Sequence, residues 1–198
     1  MSERVAVLLL GAAAATAAPP GCDAAAFAAA MAEDVLTVFA ELDGIDEAIA
    51  YCDPAGAALA RSIAWPGTVL VETAAPAAPP EVLHRVARLG YRQAAIVAAD
   101  APDLPALHLA KAFSALDSAA ASVALAVDGG VVVLASRLPP SDDLADVAMD
   151  GLPPAGVRRT LPWRRLRHPR DIAQLDPGLE GWEATRALLS AGSSPGAD

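Results

Sequence analysis

The sequence predicts an α/β domain: a mixed, mostly parallel sheet flanked by helices. Three observations carry that reading. Short, continuous apolar runs end at glycine or aspartate, as strands buried on both faces do. Segments of helical period follow several of them, in the alternation that builds a parallel sheet. Finally, 198 residues that are 55% hydrophobic and only 19% charged suffice for one well-buried core.

The elements read in order as follows. Val5 to Leu10 is the first buried strand, stopped by Gly11. Asp23 caps a helix from Ala24, in which Phe27, Met31, Val35, Leu36, Val38, Phe39 and Leu42 recur at helical spacing until Gly44. Ala48 to Tyr51 and Val69 to Val71 are short strands, the first running into an Asp53-Pro54 turn and the second into the Pro- and Ala-rich loop 74–80. A helix from Pro80 shows Val82, Leu83, Val86 and Leu89 on one face and stops at Gly90. Ala94 to Ala98 is a buried strand, residues 100–103 a tight loop, and Pro105 to Leu116 a helix. Ser122 to Val127 and Val131 to Leu134 form a hairpin about Asp128-Gly129-Gly130. An acidic stretch (142–150), a basic stretch (158–170) and a helix near 180–189 complete a single domain over 1–190, with 191–198 expected as a disordered tail.

Charge excludes several partners. The formal net charge is −10, from 14 basic and 24 acidic residues, and a nucleic-acid backbone or an anionic membrane surface needs a basic face. The N-terminal apolar run is too short to span a membrane. It ends in Ala15-Thr16-Ala17, which resembles a signal-peptidase site, but Glu3 offsets Arg4 and the strand is the favoured reading. Cys22 and Cys52 make no Cys-x-x-Cys pair and read as buried thiols in a reducing compartment, the cytoplasm.

In an open α/β sheet ligands bind beyond the carboxyl ends of the strands, which gives Asp100 and Asp103 weight. They are either carboxylate ligands of Mg2+ or Mn2+, or turn and helix-cap residues. As an exposed loop carboxylate, Asp100 should be replaceable by alanine at a cost within about 1 kcal/mol. Asp128-Gly129-Gly130 is either a plain hairpin turn or a place where backbone approaches a ligand. His84, His108 and His168 lack zinc spacing, and solvated helix positions are expected for His84 and His108. The arginines between 158 and 170 suit an anionic ligand or a solvated surface network with the acidic stretch.

Three segments in order, Ala94 to Pro105, Ser122 to Leu134 and His168 to Ile172, resemble a bacterial family of GT-A-like nucleotide-diphospho-sugar transferases. That family is often labelled arsenosugar-biosynthesis glycosyltransferases and is related to the 2-phospholactate guanylyltransferases. The resemblance implies a Rossmann-like GT-A fold and a nucleotide or nucleotide sugar bound beyond the strand ends by Gly11, Asp103, Gly129 and Gly130. It further implies Mg2+ or Mn2+ held partly by Asp100, and Asp128 as the catalytic residue toward the acceptor. The departures concern charge. Where the family carries a lysine- and arginine-bearing loop after the first strand, this chain reads Gly11 to Gly21 without one charged residue. The family's D-V-D pair falls on Arg165-Leu166-Arg167. Transfer chemistry at phosphates is largely electrostatic, so two functions are expected from this sequence. One is a glycosyl- or nucleotidyltransferase with a degenerate phosphate loop; the other is an inactive relative that binds a ligand or stabilises a protein partner.

Overall fold

The computed structural model describes residues 2–11, 16–153 and 156–192. Ala12–Ala15, within the uncharged loop, and residues 193–198 of the expected tail lie outside them.

Among the described residues seven strands form one sheet: β1 (Arg4–Leu9), β2 (Asp46–Tyr51), β3 (Val69–Glu72), β4 (Gln93–Ala98), β5 (Ala121–Leu125), β6 (Val131–Arg137) and β7 (Arg158–Arg159). Their order is β3-β2-β1-β4-β6-β5-β7. β3, β2, β1 and β4 run parallel, whereas β6 lies antiparallel between β4 and β5. The chain winds outward from β1 to β3, then returns to place β4 on the other side of β1. That reversal opens a crevice at the carboxyl ends of β1 and β4.

Alternation along β1 explains the two layers. Ala6, Leu8 and Leu10 face a core shared with Val35, Leu36 and Phe39 of α1 (Ala24–Ala40) and with Leu109 and Phe113 of α4 (Ala106–Ala115). Val5, Val7 and Leu9 face the opposite core, with Val82, Leu83 and Val86 of α3 (Pro79–Arg88). A third cluster joins Phe27 and Met31 of α1 to Leu166, Leu175 and Trp182, and so ties the C-terminal segment to the domain. α5 (Glu183–Gly192) is fastened there by Asp34, whose two oxygens accept from the Ala184 and Thr185 N–H groups at 2.9 Å.

The expected elements are present with shifted ends. β6 continues to Arg137, three residues past the expected Leu134, because it pairs on both sides with β4 and β5. α1 stops at Ala40, and Gly44 serves the turn into β2 with φ +73°. The Asp53-Pro54 turn is instead the start of a helix, α2 (Pro54–Ile63), capped by Asp53 Oδ1 accepting from the Gly56 N–H at 2.7 Å. Its buried face is Ala57, Ala60 and Ile63, mostly alanine and of little apolar bulk.

Candidate functional site

Each carboxylate singled out in the sequence meets an arginine of the segment 164–167. Asp100 follows β4 and is only 2% exposed. Its Oδ1 accepts from Arg165 Nε at 2.6 Å and its Oδ2 from Arg165 Nη2 at 2.9 Å, a bidentate fork. Arg165, 4% exposed, spends Nη1 on the Val131 carbonyl, the Met149 carbonyl and Asp150 Oδ1, at 3.2, 3.0 and 2.8 Å. One N–H on Nη2 is all that this guanidinium keeps in reserve. The Leu166 N–H donates to the Asp100 carbonyl at 2.7 Å, so backbone and side chain hold the same register.

Asp103 is buried on the other side of its loop and lies outside the crevice. The structure replaces its expected helix-cap role: the helix begins after Pro105 with no side-chain cap, and Asp103 accepts instead from Trp163 Nε1 (3.1 Å) and Arg164 Nε (2.7 Å). Arg164 also stacks over the Trp163 ring, 4.8 Å from its centroid. Asp128 is half-exposed at the hairpin turn, 3.8 Å from Arg167 Nη1. Arg167 Nη2 donates to the Gly129 carbonyl at 2.8 Å. Gly130, at φ +80°, sits so tightly that a Cβ would stand 2.7 Å from both Arg167 Nη2 and the Met149 carbonyl. That glycine serves close chain packing, and its neighbours are protein atoms. Gly11 does border the crevice, with open space where a Cβ would be.

The crevice has a volume of about 1010 Å³ and lies beyond β1, β2 and β4. Gly11 and Asp100 meet there with Asp53, Asp150 and Arg165, whereas Asp103, Asp128, Gly129 and Gly130 are elsewhere. Burial pushes the Asp100 carboxyl above the ordinary carboxylate range, against the pull of Arg165. Burial works against the charge of Arg165 too, yet Asp100 and Asp150 hold it charged. The divalent metal implied by the resemblance does not fit these residues. Both Asp100 oxygens are taken by a cation belonging to the chain, and the described residues contain no group of three or more His, Cys, Asp or Glu able to hold an ion.

Sequence reasoning missed Asp150 as a partner. The signal was available, since the acidic and basic stretches were expected to pair, but as a solvated network. Arg165 is instead buried, and Asp150 reaches it from the surface. His108, expected in solvent, is buried edge-on to Trp163 at 4.7 Å between ring centroids. Burial holds its pKa below the ordinary histidine value of 6.5, opposed by the nearby Pro162 and Pro105 carbonyls. The neutral ring is therefore favoured in the fold, and His108 adds stability above pH 6.5 that drains away as pH falls toward its lowered folded value. Denaturation midpoints between pH 7.5 and 5 should fall in the native chain and fall less steeply in His108→Phe; equal slopes would remove His108 from the pH dependence.

Cys22 and Cys52 are unpaired and half-buried. Among the described residues no helix is long and apolar enough to cross a membrane.

Comparison with solved structures assigns the fold. A Desulfovibrio desulfuricans G20 protein described as a nucleotide-diphospho-sugar transferase superposes with a TM-score of 0.68 at 16% identity, over 97% of this chain and 99% of its own. A 4-diphosphocytidyl-2C-methyl-D-erythritol synthase from Anaerococcus prevotii DSM 20548 aligns with a TM-score of 0.53 at 10% identity, over 94% and 96%. Rv0371c of Mycobacterium tuberculosis H37Rv, solved as a manganese complex, aligns at 0.51 and 18% identity, over 96% and 100%. The fold is thus that of the GT-A-like nucleotide-diphospho-sugar transferases, at identities that carry the fold alone. No curated protein matches the chain. Residues 35–150 match the family described as an uncharacterized protein conserved in bacteria, DUF2064, and the chain belongs to that family.

Proposed function

We propose that this chain is a ligand-binding protein on a GT-A-like fold, one that has given up metal-assisted sugar or nucleotidyl transfer. The observation that carries the reading is the Arg165 fork on Asp100, at 2.6 and 2.9 Å inside the protein. A fixed guanidinium supplies the positive charge that a divalent ion would bring, but all except one of its N–H donors are bonded to protein oxygens. Arg164 repeats the pairing on Asp103, and Arg167 stands 3.8 Å from the half-exposed Asp128, so each carboxylate expected to serve transfer has an arginine beside it. The first loop adds no cation, since Gly11 to Gly21 is uncharged.

A second reading has one observation in its favour: Asp100 and Gly11 border a crevice at the strand ends of a fold on which a relative was solved with manganese. In that reading Asp100 would exchange Arg165 for Mg2+ or Mn2+. Asp128, Gly129, Gly130 and Asp103 would have to leave their present partners to serve a nucleotide sugar and its acceptor.

Thermal melting in the presence of nucleoside di- and triphosphates and nucleotide sugars, with and without Mn2+, separates the two. A ligand at a hundredfold excess over its dissociation constant stabilises the native state by about 2.7 kcal/mol. For a chain of this size that is a rise of roughly 5–10 °C. The expected result is a flat panel; a rise of that size that requires Mn2+ overturns the proposal in favour of the transferase.

A further inference from the structure

The crevice at the strand ends is roomy, and most of its wall is apolar. Its floor is Leu9 and Leu10 at the end of β1, and α1, α2 and the segment after the hairpin contribute Ala28, Leu59 and Met149. Pro76 closes one side. At about 1010 Å³ the space is at the upper end of the range that encloses a drug-sized molecule, and it lies at the switch point of the sheet, where small ligands enter α/β folds.

Among the described residues the charged groups at its edge are three carboxyls, those of Asp53, Asp100 and Asp150, against the single guanidinium of Arg165. Every N–H of that guanidinium but one, on Nη2, is taken by Asp100, Asp150 and two backbone carbonyls. Asp53 Oδ1 is bound by the Gly56 N–H, and the Ser62 hydroxyl donates to the Leu59 carbonyl at 2.8 Å. A phosphate or carboxylate entering here would lose its hydration against apolar walls, meet carboxyls and find one unspent guanidinium N–H. A neutral apolar molecule loses nothing of that kind and gains by burying its surface.

We infer that the crevice bounded by β1, α1, α2 and the 147–150 segment binds an uncharged, mostly apolar small molecule of drug size and rejects its anionic analogues. This rests on the metal-free reading of the same site and adds the class of ligand.

Two fluorescent probes test it because they share the anilinonaphthalene ring system and differ by one sulfonate. Neutral N-phenyl-1-naphthylamine is expected to bind saturably, one per chain, with blue-shifted emission. The anionic 8-anilino-1-naphthalenesulfonate is expected to bind at least about tenfold more weakly, a difference of about 1.4 kcal/mol. Ala58 lines the crevice from an exposed position on α2, so Ala58→Trp should fill the space without disturbing the core and weaken the neutral probe at least about tenfold, with an unchanged melting temperature. Equal or tighter binding of the sulfonate overturns the inference. So does neutral-probe binding that survives Ala58→Trp, which would place the probe elsewhere, and so does the absence of saturable binding. If Ala58→Trp lowers the melting temperature, Ala55→Trp, from the same exposed helix edge, replaces it with the same expectation. A flat nucleotide and Mn2+ panel alongside any of those failures removes the ligand class alone. A Mn2+-dependent nucleotide shift removes the metal-free reading beneath it.

Discussion

Replacing Arg165 by leucine is expected to destabilise the protein by about 3–5 kcal/mol, the usual cost of leaving one partner of a buried ion pair behind. The carboxyl of Asp100 would be stranded at 2% exposure, and the carbonyls of Val131 and Met149 would lose the Nη1 donor. Asp100→Leu alone should be costly in the same way, since it strands the guanidinium with only the exposed Asp150 as a charged partner. The pair of substitutions together should recover much of the loss, because two apolar groups replace two charges that paid for their own burial. Urea or guanidinium denaturation of the four proteins of this cycle gives the coupling directly. An Arg165→Leu cost under about 1 kcal/mol would mean that the pair behaves as a surface bridge, and the substitution of a guanidinium for a metal would lose its physical basis. The expectation from sequence, that Asp100 could be removed almost freely as an exposed loop residue, is reversed by its burial.

Phe27→Ala should cost about 3–5 kcal/mol for a different reason. Phe27 is fully buried in the cluster that also holds Met31, Leu166, Leu175 and Trp182, remote from the two cores on the sheet faces. The cavity would open between α1 and the C-terminal segment, so the loss should be concentrated there. Limited proteolysis is expected to cut between residues 168 and 189 first in the variant, while the sheet-borne part stays protected. Uniform cleavage throughout the chain would show that the third cluster does not stand apart energetically. Because Arg165 and Arg167 flank Leu166, that cluster also sets the register in which the arginines meet Asp100, Asp128 and Asp150.

The α/β class, the order of the strands from β1 to β6 and the hairpin at Asp128 to Gly130 were legible because continuous apolar runs and glycine stops are local features. The departures of charge were equally plain: an uncharged first loop, and arginines where the resembling family has aspartates. α2 escaped because its buried face is two alanines and one isoleucine, with little apolar bulk, and because Gly56 and Pro54 read as turn residues.

Local pattern thus determined the architecture and the inventory of charges, since a residue's propensity and hydrophobicity act on its nearest neighbours whatever the rest of the chain does. Pairing was decided by the tertiary structure. Asp100 and Arg165 are 65 residues apart, Asp103 and Arg164 are 61, and only the return of the C-terminal segment across the strand ends brings them within hydrogen-bond reach. Whether a carboxylate is free for a metal or spent on a guanidinium depends on distance and burial in space, and neither is written in the spacing of residues along the chain.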